Sequence, residues 1–158
     1  AEYSGKDLSY TDPKTKENYI PHIIESSVGV GRIILMLLTE AYTEEKLENG
    51  EDRIVMKFPR KLAPVKAAVI PLLKNKPELV NLAREIYDNI KGDFMVEFDN
   101  SGNVGRSYRR QDEIGTPYCL TVDFESLEKN DITVRDRDTM NQTRIKISDL
   151  HGYLKEQF

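Results

Sequence analysis

The chain has 158 residues, of which 32% are charged and 39% hydrophobic, and its formal net charge is −4 at pH 7. These values suit one soluble domain, or one domain and part of another, and they exclude a uniformly basic nucleic-acid coat, so any RNA contact requires a local basic patch. The single cysteine excludes an internal disulfide framework and indicates a reducing compartment, and no run reaches the ~20 apolar residues that cross a membrane.

The first part of the chain carries a turn signal at Asp12-Pro13-Lys14, then a short apolar segment that we interpret as a strand ending at Glu25. A turn of small residues follows, and then a helix with Arg32 in its first turn and an apolar run at 33–38. Small residues let the backbone approach a ligand, a carboxylate can hold an amine, and an arginine can meet a phosphate or a base. The pattern predicts a site for an ammonium and a nucleotide, beside a buried helix.

Charge changes abruptly after this helix. Residues 40–52 contain six acids against one lysine, with a turn signal at Asn49-Gly50, and we interpret them as a boundary. No acid occurs in 53–77, which holds seven basic residues, and none occurs in 103–110, which holds Arg106, Arg109 and Arg110. Each run predicts either a local RNA-binding patch or an ordinary solvated face.

The remainder alternates between strand and helix patterns. A continuous apolar run at 66–73 predicts a strand covered on both faces, and Pro77 opens a helix that extends to residue 90. We predict a strand at 94–98, a polar helix at 104–114 ended by Gly115, and strands at 118–124, 132–135 and 144–147. Ser148 is the predicted N-cap of a last helix.

The order βαβαβββα predicts an α/β fold in which helices flank a mixed β-sheet. Alternation in the strand at 132–135 places Arg135 on the face opposite the core residues Ile132 and Val134. The same alternation places Phe98 and Tyr118 with core residues, and Tyr108 of the arginine-rich helix is assigned to packing rather than to base stacking.

Three segments carry a resemblance to a known family. Residues 21–32, Pro-His-Ile-Ile-Glu-Ser-Ser-Val-Gly-Val-Gly-Arg, resemble the third signature motif of class II aminoacyl-tRNA synthetases in the form found in glycyl-tRNA synthetases. Residues 104–118 and 133–139 resemble further segments of glycyl-tRNA synthetases, and the element order is similar to the anticodon-binding domain of several class II synthetases. The family usually has proline where this chain has Ser26.

The resemblance implies three segments of chain. Residues 1–45 would be the C-terminal end of the class II catalytic domain, a strand-turn-helix remnant. Residues 46–65 would be a linker, and residues 66–158 would form the anticodon-binding domain. The apolar run at 33–38 would then lack most of its partner domain, and a substitute partner in a neighbouring chain would give a non-native dimer.

The resemblance also assigns the site residues. Glu25 and Ser27 would face the amino group of glycine, and ATP would contact Glu25, Gly29, Gly31 and Arg32. The anticodon of tRNA-Gly would be read by five charged residues, which are Arg106, Arg110, Glu113, Arg135 and Arg137.

The whole enzyme implied is a cytoplasmic, homodimeric glycine–tRNA ligase without a membrane segment, which uses ATP and Mg²⁺ to activate glycine and transfer it to tRNA. The first two signature motifs of the class have no counterpart here, so this chain alone is predicted to be inactive and to need no cofactor. His22 and His151 lack partners at metal-ligand spacing, and no metal site is predicted.

Several alternatives stay open at this stage. The glycines at 29 and 31 fit simple turn chemistry, and Arg32 could pair with Glu25 or Glu40. Arg109 could form helix ion pairs with Asp112 and Glu113, and Asp136 and Asp138 could neutralise Arg135 and Arg137. The competing functions are a synthetase-like accessory or protein-interaction subunit without aminoacylation activity, and a free-standing α/β small-molecule domain.

Overall fold

A computed structural model describes residues 3–158, and the chain divides into two compact units, of which the first ends at Ile33 and the second is Ile34–Phe158. Within the described residues, no helix has both the length and the apolar character needed to cross a membrane. The helices and strands, in chain order, are β1 Tyr10–Thr11, β2 Asn18–Tyr19, α1 Val30–Ala41, β3 Tyr42–Lys46, β4 Asp52–Met56, β5 Ala67–Pro71, α2 Pro77–Ile90, β6 Val96–Phe98, α3 Val104–Ile114, β7 Tyr118–Val122, α4 Phe124–Lys129, β8 Asp131–Asp136, β9 Gln142–Lys146 and α5 Leu150–Gln157.

The first unit contains a short antiparallel ribbon, in which Tyr10 pairs with Tyr19. The predicted turn at its tip is confirmed, because the Asp12 carboxylate accepts hydrogen bonds from the backbone N–H groups of Lys14 and Thr15. The strand predicted before Glu25 is wrong, since residues 20–29 are neither helix nor strand. A strand needs a hydrogen-bonded neighbour, and no described segment pairs with these residues.

The helix predicted after the glycine turn is present as α1, but the prediction that its apolar run is buried is wrong for this chain. Side chains from Ile33 to Met36 and Leu38 are 39% to 65% exposed. Leu37 alone turns toward a small cluster with Ala41 and Phe58. The run is apolar on every side of the helix, and the described residues cover only one of those sides.

The acidic stretch at 40–52 forms part of a β-hairpin rather than an extended boundary. Strands β3 and β4 pair antiparallel from Tyr42 opposite Met56 to Lys46 opposite Asp52. The predicted turn at Asn49-Gly50 closes the hairpin, with Gly50 at a φ of 82°. The hairpin includes residues 46–56 of the segment predicted as a linker, and the division of the chain at residues 45 and 65 stays a prediction.

A five-stranded mixed sheet in the order β6-β5-β7-β8-β9 forms the centre of the second unit, which confirms the predicted fold class. Strand β5 lies parallel to both β6 and β7, whereas β8 runs antiparallel to β7 and β9. All five residues of β5 and of β7 are buried, as the continuous apolar run at 66–73 predicts for the first of them.

The two faces of the sheet differ in chemistry. Helices α2 and α5 cover an apolar face, where Val69 and Leu120 pack against Leu79, Ile86 and other core residues. Helix α3 covers the other face, where Val104 and Tyr108 pack on Ala68, Ile70 and Cys119. Cys119 is 1% exposed in this layer, and burial raises the pKa of its thiol to about 12.

Two local predictions at the end of the chain are wrong. Phe124 does not extend β7 but begins α4, because Asp123 and Ser126 form a capping box that starts a helix at this point. Ser148 is not the N-cap of α5; it lies in a short 3-10 turn, and its hydroxyl donates to Asp149 instead. Leu150 and Leu154 of α5 nevertheless face the core.

Candidate nucleic-acid interface

Helix α3 positions most of the polar residues of the candidate site. The Asn103 side chain caps its first turn by accepting a hydrogen bond of 2.9 Å from the Arg106 N–H. Gly115 ends the helix in the left-handed conformation at a φ of 84°, where a Cβ atom would lie 2.5 Å from the Phe58 ring. The predicted start and end of this helix are therefore confirmed, and its C-terminal end lies tightly against the residues that follow β4.

Beneath the C-terminal half of α3, Asp112 binds two arginines from different strands. Its carboxylate accepts a hydrogen bond of 2.9 Å from Nε of Arg53 on β4, and two of 2.9 and 3.1 Å from Arg135 on β8. All three residues are less than 10% exposed. Arg53 also binds Glu45, which pairs with Lys57 as well, so the group contains three cations and two anions, and every charge in it has a partner.

Arg135 therefore lies on the face opposite Ile132 and Val134, as predicted, but it is 6% exposed and faces α3 rather than solvent. Its guanidinium carbon also lies 4.8 Å from the centre of the Tyr108 ring. Tyr108 donates or accepts a hydrogen bond of 2.7 Å with Thr121 and is half-buried, so it packs as predicted instead of offering a free face for stacking.

Arg137 is 2% exposed, and its guanidinium links three parts of the second unit. It donates hydrogen bonds of 2.8 Å to the carbonyl oxygens of Gly115 and Phe58, and it pairs with Asp138. The alternative reading of Asp138 as its counterion is thus confirmed, whereas Asp136 pairs with Arg60 instead of Arg135.

Arg110 and Arg109 are neighbours on α3 with different partners. Arg110 Nη2 lies 2.8 and 2.7 Å from the two oxygens of Asp99, and it also reaches the hydroxyl groups of Ser101 and Ser107. Arg109 binds Glu51 of the hairpin rather than Glu113, so the predicted helix pair is wrong. Burial opposes ionisation of Asp99, but hydrogen bonds from Ser101 and Arg110 keep its pKa below the usual value.

A cavity of about 600 Å³ lies between β6 and α3, beside the Asp99–Arg110 pair. Arg110 and Glu113 both line it, together with Asn100. The Asn100 Oδ1 atom is buried and accepts no hydrogen bond from any residue in the described part of the chain. The cavity thus combines a cationic donor, Arg110, with the carboxylates of Glu97, Asp99 and Glu113, and polar groups of this kind orient a polar ligand.

The remaining predicted residues are exposed. Arg106 lies on the first turn of α3, about one helical turn from Arg110. In the first unit, Glu25, Ser27 and Arg32 are exposed and make no side-chain hydrogen bond or ion pair with any residue in 3–158. The glycines at 29 and 31 have open space where a Cβ would lie, so nothing described there requires glycine.

Residues 66–157 match the family described as the anticodon binding domain. The chain belongs to this family. It is 50% identical over 156 residues to a glycine–tRNA ligase of Clostridium acetobutylicum, covering 99% of this chain and 33% of that protein. It is similarly 50% identical over 156 residues to a glycine–tRNA ligase of Bacillus cereus, and 51% identical over 152 residues to one of Borrelia garinii.

These comparisons confirm the resemblance to glycyl-tRNA synthetases. The chain spans about a third of the length of the curated relatives it matches. The five-stranded sheet and the cavity between β6 and α3 both lie within the matched residues.

Sequence reasoning missed two polar residues of the anticodon-binding domain and one upstream partner: Asp99, Asn100 and Arg53. It also treated Asp112 as a surface residue. Helical spacing gives a signal for Asp112, because Val104, Tyr108 and Asp112 recur every four residues and so share one face of α3. A carboxylate on an apolar helix face needs a buried cation, and two arginines supply it here. No local pattern identifies Arg53 as one of them.

Proposed function

We propose that this chain is the part of a glycine–tRNA ligase that recognises the anticodon of tRNA-Gly. The observation that carries the proposal is the cavity between β6 and α3, lined by Arg110 and Glu113, in a domain of the anticodon-binding family whose relatives are glycine–tRNA ligases at about 50% identity. The reaction of the whole enzyme would attach glycine to tRNA at the expense of ATP.

The chemistry of the cavity supports recognition of a single-stranded base. Sequence-specific RNA recognition reads unstacked bases through hydrogen bonds to their edges. Arg110 Nη2 is anchored on Asp99, whereas Nε and Nη1 make no hydrogen bond with the described residues and are available as donors. Glu97 and Glu113 supply acceptors. Donors and acceptors held in one cavity suit the mixed hydrogen-bonding edge of a nucleobase.

For the two buried candidates we propose a supporting role. Direct contact between Arg135 and a base would require its two bonds to the buried Asp112 to break. Removing one partner from a buried ion pair lowers stability by ~3–5 kcal/mol. This cost exceeds the ~1–3 kcal/mol of discrimination that a good contact with a base contributes. Arg137 is held by two backbone carbonyls and is even less exposed. Arg106, Arg110 and Glu113 are therefore the proposed RNA contacts.

The first unit carries the residues proposed for glycine and ATP. Glu25 fits an ammonium and Arg32 a phosphate in chemical kind, but both are exposed and unsupported by contacts among the described residues. No three His, Cys, Asp or Glu side chains in residues 3–158 come together as a set that would hold Mg²⁺. In the whole enzyme, ATP would supply the α-phosphate that activates the glycine carboxylate.

The proposed binding is tested by titrating the chain with the anticodon stem-loop of tRNA-Gly, and with a loop whose second and third anticodon nucleotides are changed. We expect tighter binding of the glycine loop, with a preference that Arg110→Ala reduces about tenfold or more, because one base contact is worth ~1–3 kcal/mol. Arg109→Ala is the matched control, since this neighbour pairs with Glu51 outside the cavity. Equal binding of both loops by the wild-type chain would contradict the proposal.

We further propose that the whole enzyme is a cytoplasmic homodimer and that this chain alone does not activate glycine. The chain covers about a third of its relatives, and its proposed glycine and ATP residues lack supporting contacts in the described region. ATP–pyrophosphate exchange with glycine should stay at background for this chain. Exchange above background that depends on Arg32 would contradict this expectation.

A further inference from the structure

The carboxyl ends of β5 and β6 form a topological switch point. The two strands are parallel neighbours, with Ala67 opposite Val96 and Val69 opposite Phe98. After β5 the chain turns to α2 on the apolar face of the sheet, whereas after β6 it turns to α3 on the opposite face. Connections that separate in this way open a crevice at the strand ends, and in α/β sheets ligands bind there.

A crevice of about 410 Å³ occupies this position. Its walls are the residues that directly follow β5, including Lys74 and Asn75, and those that follow β6, including Ser101 and Arg106. This volume lies within the ~300–1,000 Å³ range of small-molecule sites and is ample for one phosphate and its sugar. The crevice is separate from the base-sized cavity, but Ser101 lines both.

The charge of the crevice is positive on both sides. Lys74 and Arg106 are exposed, and neither forms an ion pair with any carboxylate in the described part of the chain. The residues lining the crevice include no aspartate or glutamate, whereas Glu97, Asp99 and Glu113 all line the neighbouring cavity. Two cations without carboxylate partners, one from each loop, fit an anion.

From these observations we infer that the crevice binds a backbone phosphate of the RNA whose base enters the neighbouring cavity. This inference rests on the proposed function, and it adds Lys74 and Asn75 as RNA-binding residues and assigns Arg106 to a phosphate rather than to a base. Because Ser101 borders both spaces, one short stretch of a loop can place a base in the first and a phosphate in the second. Phosphate contacts fix the register of the RNA and carry no sequence information.

The test compares Lys74→Gln with Lys155→Gln, a control that removes an equally exposed lysine from α5. Stem-loop affinities are measured at several salt concentrations, for the glycine loop and for the loop with changed anticodon nucleotides. We expect Lys74→Gln to weaken both loops by the same factor, about 3- to 10-fold, and to lower the salt slope by about 1, with the preference between the loops unchanged. Lys155→Gln should leave both affinities unchanged.

A methylphosphonate scan identifies the phosphate. Neutralising one loop phosphate should weaken binding by the wild-type chain, and the same RNA should bind Lys74→Gln with no further loss. Unchanged affinity of Lys74→Gln, or an altered preference between the two loops, would overturn the inference while the wild-type preference still supports anticodon recognition. Absence of that preference in the wild-type chain would instead contradict the proposed function.

A second experiment uses inorganic phosphate as the ligand, because a free phosphate ion and an RNA phosphate share the same chemistry. Backbone NMR signals of Ser101 and Gly102 should shift with the stem-loop and lose that shift in Lys74→Gln. If millimolar inorganic phosphate shifts them in a Lys74-dependent manner and the stem-loop does not, the crevice is a free-anion site and the assignment to RNA is overturned.

Discussion

The segment at 20–33 and the sheet face under α3 both carry residues that the family resemblance assigns to ligands, but the structure supports them differently. Glu25 and Arg32 are exposed and make no side-chain hydrogen bond or ion pair with described residues, whereas Arg110 and Arg135 are each fixed by an aspartate. A sequence motif identifies the chemical groups that a ligand requires. Packing and paired charges hold those groups in place, and only the α3 face has both.

The largest expected effect comes from the carboxylate that holds this face together. Asp112→Ala leaves Arg135 buried without a counterion and removes one partner of Arg53. We expect the free energy of unfolding to fall by ~3–5 kcal/mol, measured by urea denaturation.

Glu113→Ala is the matched control for this substitution, since Glu113 is the next residue on the helix and is exposed. It should change unfolding by less than ~0.5 kcal/mol while reducing the preference for the glycine stem-loop. If Asp112→Ala lowers the free energy of unfolding by less than ~1 kcal/mol, the buried arginines do not depend on this carboxylate. The α3 face would then be no better supported by paired charges than the segment at 20–33.

Gly115→Ala tests the tight contact at the end of α3. A Cβ at this position would lie 2.5 Å from the Phe58 ring and 2.8 Å from the Met56 carbonyl oxygen, at a φ of 84°. We expect a loss of ~2–4 kcal/mol, from left-handed backbone strain and overpacking together. Gly50→Ala separates the two causes, because Gly50 has a φ of 82° and open space around it, so its cost should not exceed ~1–2 kcal/mol. Equal costs at both positions would rule out the steric contact as a cause.

The carboxylate of Asp123, which caps α4, predicts that the free energy of unfolding depends on pH. Hydrogen bonds from Arg144 lower the pKa of Asp123 from 3.8 to about 2. Because the folded-state pKa is depressed, the stabilisation is complete above the unfolded value near pH 4 and is lost as the pH falls toward 2. We expect a contribution on the order of 1 kcal/mol after solvent screening.

Asp123→Asn is the variant that measures this contribution, since asparagine can still cap α4 but cannot ionise. Its unfolding free energy should depend less on pH between 5 and 2 than that of the wild-type chain. Parallel pH profiles of the two proteins would assign the acid sensitivity to other carboxylates.

The smallest effect is expected in the exposed segment. Glu25→Ala and Arg32→Ala remove side chains without contacts to described residues, and each should change the unfolding free energy by less than ~0.5 kcal/mol. A loss above 1 kcal/mol in either variant would mean that these side chains do support the structure, and the difference between the two regions would disappear.

The sequence predicts most of the sheet and helices because their signals are local. The apolar run of β5, Pro77 at the start of α2 and Gly115 after α3 each act through neighbouring residues. The α4 capping box also lies within four residues, yet the alternation ending at Phe124 masks it. The predicted strand before Glu25 fails because a strand depends on a distant partner, which no local pattern supplies.

The candidate site is only partly predictable for the same reason. Arg106, Arg110 and Glu113 come from the resemblance to glycyl-tRNA synthetases, and the local helix pattern places all three on α3. The partners Asp99 and Arg53 come from other elements, and Arg53 lies 59 residues from Asp112. Only the fold brings such pairs together, and it buries Arg135 and Arg137, for which we propose a supporting role.

The buried thiol of Cys119 has a practical consequence for spectroscopy. With its pKa raised to about 12, it carries almost no thiolate at neutral pH, and the thiolate is the form that alkylating reagents attack. A fluorescent or spin label can therefore be attached to a cysteine introduced by Arg109→Cys or Lys155→Cys, two exposed positions outside the proposed RNA contacts, while the native cysteine stays in place. The distance from each labelled position to a labelled stem-loop would then map how the RNA lies across this domain.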